Sequence, residues 1–354
     1  MSHFDSPVGF RTRGGVVTRC IVTPPVVLSR IVLSVCLGTF LGLAFAAAIA
    51  GEGHAQAFPS RPITFVIPYP PGGNVDVSAR ILQNSIGNAL GQPIIVENKP
   101  GGEGFIAGND VLRADADGQT LFVASNGPIL LGPLISKDPP YHWQDSFIPV
   151  SSISLTPTLL VVRKDFPANT VTEFVGYAHT AKTTVGFGGV GSINNLVSEL
   201  MQQVTGAQWV GVNFRGNAPL MTDLIGGHVD VGFIQPVDAL PSIQSGAVRA
   251  LAVIADKRMA QLPAVPTMAE AGYPHVTGLT FNGLFARKGT PPAVVEALSK
   301  TVQDALHKPE AIESFKKLGS EAHPSTPAEF VSFMNQQTSI WSEVVKKAHI
   351  QVEN

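Results

Sequence analysis

The chain has 354 residues, a formal net charge of −2 at pH 7 and 14% charged residues. It contains no long run of lysine or arginine, and so it lacks the basic surface with which proteins bind nucleic acid. Both cysteines, Cys20 and Cys36, lie in the first 57 residues. Because residues 58–354 contain no cysteine, they cannot form disulfides, thiolate metal sites or cysteine nucleophiles.

The first 57 residues have the pattern of an export signal. Four arginines precede an uncharged apolar stretch, residues 31–50, which is followed by Ala55-Gln56-Ala57, a fit to a signal-peptidase site. We predict a signal peptide over residues 1–57 that is cleaved after Ala57. No twin-arginine pair is present, which favours the general export route. The alternative is a retained membrane anchor, because about 20 apolar residues can span a bilayer.

From residue 58 onwards, short apolar stretches alternate with segments of helical periodicity. This alternation is typical of parallel strands connected by crossover helices. Several stretches are apolar throughout, which indicates strands covered by helices on both faces. The predicted strands are residues 63–67, 94–97, 121–124, 159–162, 184–187, 209–212, 229–234, 250–254 and 284–286. Thr170 with Glu173, and Thr326 with Glu329, fit capping boxes and predict two helix starts.

Residues 58–354 exceed what one hydrophobic core usually supports, so we expect two lobes. The order of elements places residues 58–158 in lobe 1, residues 159–276 in lobe 2, and residues 277–354 in a return segment that completes lobe 1 with C-terminal helices. Two chain crossings would form a hinge, which allows closure around a ligand. The predicted fold is α/β, with two lobes of mostly parallel sheet flanked by helices.

Polar loops, most of them rich in glycine, follow four of the predicted strands. In open α/β sheets ligands bind beyond the carboxyl ends of the strands, where unpaired amides and the helix dipole favour an anion. We expect Asn74 to cap the helix after the first loop, and Arg215 either to pair with a carboxylate or to lie solvated at the rim. Each loop could instead be a tight turn without a ligand. The candidate ligand-binding residues of these loops are Tyr69, Pro71, Gly72, Gly73, Asn74, Asp76, Ser125, Asn126, Gly189, Gly191, Ser192, Asn194, Asn195 and Arg215.

Known catalytic patterns are absent from the sequence. A formal G-x-G-x-x-G occurs at Gly186, Gly188 and Gly191, but the next predicted strand is followed by Asn213 instead of the acid that a dinucleotide site needs. A loop for a small anion is therefore favoured over a nucleotide site. The chain has no G-x-S-x-G elbow, H-E-x-x-H motif or Walker lysine. We expect no enzyme activity, no metal and no cofactor.

Motifs along nearly all of residues 58–354 resemble those of the substrate-binding proteins of tripartite tricarboxylate transporters, the Bug family. The order and spacing of these motifs are more specific than any one of them. They are FPSRPI at 58–63, PPGG at 70–73 with Asp76, ENKPG at 97–101, DGQTL at 117–121, DLIGG at 223–227, GAVRALAV at 246–253, LPAVPT at 262–267 with EAG at 270–272, and GTP at 289–291.

The resemblance implies a type II periplasmic binding-protein fold whose lobes close on one ligand, held by the Gly72-Gly73 loop and by residues 189–195. It also implies a periplasmic location, ligands among di- and tricarboxylates, acidic amino acids and aromatic acids, and partners among the membrane subunits of such a transporter. After Phe233 the family usually has Asp-Asn, whereas this chain has Ile234-Gln235 and then Asp238. Gln235 and Asp238 complete the candidate ligand-binding residues, and the difference favours a ligand with a more apolar end.

We therefore expect a monomeric receptor that binds a small carboxylate without chemical change. One alternative is a sensory receptor that docks its closed lobes on a membrane signalling protein. A further alternative is an exported α/β enzyme, which would require a nucleophile, base or metal set.

Overall fold

The computed structural model describes residues 58–350, which contain ten strands and eleven α-helices. The predicted signal peptide lies outside these residues. The strands are β1 Ile63–Ile67, β2 Ile94–Asn98, β3 Thr120–Ser125, β4 Phe147–Arg163, β5 Thr184–Phe187, β6 Val210–Asn213, β7 Val231–Ile234, β8 Val248–Ile254, β9 Leu279–Arg287 and β10 Glu321–Ala322. The helices are α1 Asn74–Leu90, α2 Phe105–Arg113, α3 Gly132–Ile135, α4 Trp143–Ser146, α5 Val171–Thr180, α6 Ile193–Thr205, α7 Asn217–Ile225, α8 Pro236–Gln244, α9 Pro292–Leu306, α10 Pro309–Lys317 and α11 Pro327–Ala348. Within the described range, none of them is long and apolar enough to span a membrane.

The strands form one continuous sheet in the order β2-β1-β3-β9-β4-β7-β5-β6, with β8 and β10 also paired to β4. β1 is parallel to β2 and β3, and β5 is parallel to β6 and β7. Every pairing of β4 and β9 is antiparallel. The outer strands are therefore parallel, as the sequence predicts, and they form two sets on either side of the central pair β9 and β4.

The central strand β4 is 17 residues long, whereas the sequence predicts only residues 159–162 as strand. Its residues 147–157 pair with β9, and its residues 158–163 pair with β7 and β8. One strand thus belongs to both halves of the sheet, and the predicted boundary after residue 158 falls inside it. We call the half with β1, β2 and β3 the first half, and the half with β5, β6 and β7 the second half.

Helix α11 packs against both halves. Its Trp341 is 1% exposed and belongs to a core cluster that includes Phe122 of β3 and Phe233 of β7. Gln203 of α6, in the second half, donates a hydrogen bond to the Val344 carbonyl at 3.3 Å. The C-terminal helix therefore stabilises the junction between the halves as well as the first half.

Both predicted helix starts are confirmed. The Thr170 hydroxyl accepts a hydrogen bond from the Glu173 amide at 3.1 Å before α5. Thr326 and Glu329 form a complete capping box at the start of α11. A cap of this kind typically contributes about 1 kcal/mol to stability.

Candidate functional site

The loop after β1 is held in place by the carboxylate of Asp76, a buried residue of α1. Asp76 accepts hydrogen bonds from the Gly72 amide at 2.9 Å, from Arg80 Nε at 2.9 Å and from Asn98 Nδ2 at 3.0 Å. Burial raises the pKa of Asp76, but these hydrogen bonds outweigh it and hold the pKa below the usual 3.8. Asp76 therefore shapes the loop from inside the protein, where Gly72 has a φ of +85° that favours glycine.

The N-terminus of α1 has no side-chain cap. The cap residue is Gly73, and Asn74 is already the first helical residue, so the prediction that Asn74 caps this helix is wrong. The Asn74 side chain instead donates to Thr156 Oγ of β4 at 3.3 Å. The first amides of α1 consequently have no side-chain acceptor among residues 58–350, and Pro71, Gly72 and Gly73 beside them are exposed.

Three further predicted residues of the first half, Tyr69, Ser125 and Asn126, are tied to neighbouring strands. The Tyr69 and Ser125 hydroxyls are hydrogen-bonded at 2.8 Å, and burial raises the pKa of Tyr69 to about 12 despite that bond. Asn126 is buried, donates to the Leu279 carbonyl at 3.0 Å and accepts from the Phe281 amide at 2.9 Å. Tyr69 thus remains a neutral hydroxyl, whereas the Asn126 amide positions the start of β9.

The loop after β5 is packed tightly against the first half. Gly191 has a φ of +69°, and a Cβ atom there would lie 2.0 Å from Cδ1 of Ile135 in α3. The Gly191 amide donates to Asn195 Oδ1 at 3.0 Å, and the Asn195 amide donates to the Ser192 hydroxyl at 3.3 Å. Gly189, at a φ of +111°, accepts from the Ser192 amide at 3.2 Å. Only glycine fits at position 191 without moving Ile135.

Three amides and one carboxylate of the second half form a hydrogen-bonded group, which we call the amide cluster: Asn194, Asn217, Gln235 and Asp238. Asn194 is 2% exposed and exchanges two hydrogen bonds with Gln235, each at 3.1 Å. Asn217 donates to Gln235 Oε1 and, at 2.7 Å, to Asp238 Oδ2. Burial raises the pKa of Asp238, and the hydrogen bond from Asn217 opposes that shift only in part.

Asn74 of the first half, and Asn194 and Gln235 of the second half, contact one face of β4 and β9. Thr156 and Thr158 are two positions apart on β4 and so point to the same face, and Thr156 lies opposite Thr280 of β9. Thr156 contacts Asn74 of the first half, whereas Thr158 donates to Asn194 at 3.4 Å in the second half. Gln235 Nε2 of the second half reaches Thr280 Oγ at 3.2 Å. Hydroxyl groups of the crossing strands therefore connect both sets of loops.

The sequence analysis missed Thr156, Thr158, Thr280 and Asn217. A detectable signal for Asn217 was its place just after Gly216, where a strand-to-helix loop ends. Arg215, which was predicted, is exposed and makes no hydrogen bond or ion pair within residues 58–350. The same range contains no group of His, Cys, Asp and Glu side chains placed to hold a metal ion.

Comparisons with known proteins place this arrangement in a family. The family model described as "Tripartite tricarboxylate transporter family receptor" matches residues 78–350. The periplasmic binding protein BugD is 33% identical, with a TM-score of 0.73 over 84% of this chain and 100% of that one. An R. palustris protein solved with adipate is 29% identical, with a TM-score of 0.77 over 84% and 100% of the two chains. MatC from Rhodopseudomonas palustris, with bound malate, is 32% identical, with a TM-score of 0.73 over 81% and 100%.

These similarities confirm the resemblance read from the motifs and the two-lobed α/β fold, and the relatives are solute-binding proteins and not enzymes. The chain therefore belongs to the tripartite tricarboxylate transporter receptor family and is a periplasmic solute-binding protein.

Proposed function

We propose that this chain captures a small carboxylate between its two halves and delivers it to the membrane subunits of a tripartite tricarboxylate transporter. One observation carries the proposal: Asn74 of the first half and Asn194 of the second half are hydrogen-bonded to neighbouring threonines on one face of β4. Relatives that hold adipate and malate support a carboxylate as the ligand.

The uncapped start of α1 is the proposed carboxylate site. Each interaction of an anion with a helix N-terminus contributes on the order of 0.3–2 kcal/mol, and hydrogen bonds become stronger when closure removes water. Such a site requires no arginine, which fits the exposed and unpaired state of Arg215. The Tyr69 and Ser192 hydroxyls lie on the loops that would close over the ligand.

We also propose that lobe 1 comprises residues 58–158 and 277–354, and lobe 2 residues 159–276, with β4 and β9 as the crossing strands. Closure is then favoured only when ligand is bound, because the ligand has a higher affinity for the closed state. The mature chain begins after Ala57, acts as a monomer in the periplasm and changes no bond in the ligand.

Titration of purified residues 58–354 with adipate, malate, citrate, glutamate and phthalate tests the proposal. A ligand present at about 100 times its Kd stabilises the native state by about 2.7 kcal/mol, which a thermal shift detects, and calorimetry then gives the affinity. Binding of none of these acids would contradict the proposed function.

A matched pair of variants tests whether the α1 amides hold the carboxylate. Asn74→Ala removes only the side chain, whereas Asn74→Pro also removes the backbone N–H. Proline is well tolerated at a first helical position, and Gly73 before it has the extended conformation that proline requires. We expect Asn74→Pro to bind about tenfold more weakly than Asn74→Ala at similar stability. Equal affinities would place the carboxylate elsewhere.

A further inference from the structure

The amide cluster has no side-chain N–H left for a ligand. Each of its three amides has two N–H donors. Those of Asn194 go to Asn217 Oδ1 and Gln235 Oε1, and those of Gln235 go to Asn194 Oδ1 and Thr280. Those of Asn217 go to Gln235 and Asp238. A ligand carboxylate could therefore gain no hydrogen bond from these three amides.

Asp238 determines this polarity. A carboxylate only accepts hydrogen bonds, so the NH2 group of Asn217 must face Asp238. That NH2 group also donates to the carbonyl oxygen of Gln235, and the NH2 group of Gln235 consequently points to Thr280 and Asn194. The orientation of all three amides thus follows from one acidic residue.

Asp238 is itself only half satisfied. Its Oδ2 accepts from Asn217, whereas its Oδ1 accepts no hydrogen bond from the described residues. None of the ion pairs within residues 58–350 includes Asp238. The second half therefore presents an unpaired negative charge next to the group that joins the halves at Thr158 and Thr280.

We propose that Asp238 is a specificity-determining residue that binds an ammonium group of the ligand. The receptor then takes an amino acid, with its carboxylate at the start of α1 and its ammonium at Asp238, in preference to an acid of the same skeleton without the amine. This inference rests on the proposed function, because it needs a carboxylate bound between the halves. Charge-assisted hydrogen bonds of this type are about twice as strong as neutral ones, and a second carboxylate at the same place would be repelled.

A purely local role for Asp238 makes different predictions. Asp238 lies in the first turn of α8, where an acidic side chain interacts favourably with the helix dipole. Loss of that interaction would lower the stability of the unliganded protein and would weaken all ligands alike. Ligand selectivity, measured on matched acids, separates this role from recognition of an ammonium group.

Calorimetry on residues 58–354 with three matched series gives this measurement. The series are succinate, malate and aspartate; glutarate, 2-hydroxyglutarate and glutamate; and phenylpropionate, phenyllactate and phenylalanine. Within each series that binds, we expect the amino acid to bind about tenfold or more tightly than the unsubstituted acid, with the hydroxy acid between them. An unsubstituted or hydroxy acid that binds as tightly as its amino acid would overturn the inference and leave the proposed function intact. Failure of all nine acids to bind would overturn the inference, and failure of adipate, citrate and phthalate as well would overturn the proposed function.

Three variants locate the preference. Asp238→Asn should lose about tenfold or more in affinity for the preferred amino acid while its affinity for the unsubstituted acid is unchanged or higher. Asp238→Ser provides the same test should the first variant fold poorly, since both remove the charge. Asp223→Asn, on α7 of the same half, makes the same change of charge away from the amide cluster and should leave the affinity ratio within about twofold. Retention of the wild-type ratio in folded Asp238→Asn or Asp238→Ser would overturn the inference.

Discussion

The two sides of the candidate site use their polar groups in different ways. In the first half the Asp76 carboxylate lies beneath the loop and leaves the amides of α1 free. In the second half the amides are occupied by one another, and the carboxylate of Asp238 keeps an oxygen free. Backbone geometry in the first half could therefore attract an anion, whereas side-chain charge in the second half could select among anions.

The greatest loss of stability should come from disturbing the contact between Gly191, in the loop after β5, and Ile135 of the first half. Gly191→Ala places a Cβ atom on Ile135 in a left-handed conformation. A left-handed alanine costs about 1 kcal/mol, and overpacking adds about 1–3 kcal/mol, so we expect a loss of about 3 kcal/mol in the free energy of unfolding. Urea denaturation measures the loss.

Gly206→Ala is the matched control for this variant. Gly206 has a similar φ of +72°, but a Cβ atom there would meet nothing closer than 3.9 Å. It should lose only about 1 kcal/mol, the cost of the left-handed conformation. Equal losses in the two variants would show that the contact with Ile135 is unimportant.

The next prediction concerns the contribution of the amide cluster to stability. Asn194→Ala leaves Thr158 and Gln235 without their partners in a buried place, and an unsatisfied buried polar group costs about 1–3 kcal/mol. We expect a loss of about 2 kcal/mol in chemical denaturation. Asn213→Ala, at the exposed end of β6, should change stability by no more than about 0.5 kcal/mol. A loss for Asn194→Ala as small as for this control would mean that the cluster contributes little to the second half.

The contrast between the halves was only partly predictable from the sequence. The bounds of β1 and β5 were predicted correctly because each is a short strand of mainly apolar residues before a glycine-bearing loop. The first part of β4 was missed because it contains Ser151 and Ser152, whose partners lie far along the chain. Ser151 Oγ donates to the Ser325 carbonyl, and the Ser152 amide donates to Ser325 Oγ, both at 2.9 Å.

The same limit applies to the candidate site. Glycine pairs and loop positions identified where a ligand could approach the backbone. Which amides remain free depends on hydrogen bonds between residues such as Asn217 and Asp238, or Asn74 and Thr156, and these bonds depend on strand register. A sequence pattern therefore indicates where the loops lie, but it does not indicate which amides remain free.

An effect of similar size is expected from the loop of the first half. Asp76→Asn keeps the shape of the side chain but removes the negative charge that accepts hydrogen bonds from Arg80 and the Gly72 amide. We expect the free energy of unfolding to fall by about 2 kcal/mol at pH 7. Arg80 is 46% exposed, so most of the loss should come from the buried hydrogen bonds and not from the ion pair. Asp304→Asn breaks another (i, i+4) ion pair, one that is exposed on both sides, and should lose no more than about 0.5 kcal/mol.

The pH dependence of Asp76→Asn has a defined sign. The folded pKa of Asp76 is below 3.8, so its stabilising contribution is present above that pH and is lost as the pH falls towards the folded value. Melting temperatures of wild type and variant should therefore converge below about pH 3.8. A constant difference between them down to pH 3 would contradict this role of the carboxylate.

The smallest effect comes from the hydroxyl pair of Tyr69 and Ser125. Tyr69→Phe removes one hydrogen bond, and we expect the free energy of unfolding to fall by about 1 kcal/mol. In a double-mutant cycle with Ser125→Ala, much of this loss should be the interaction energy between the two hydroxyls. The folded pKa of Tyr69 is raised to about 12 from 10, so its contribution is complete below pH 10 and is lost as the pH rises through the folded value. Tyr69→Phe should therefore resist alkaline unfolding better than wild type relative to neutral pH. Parallel stability curves for the two proteins above pH 10 would contradict the burial of the Tyr69 hydroxyl.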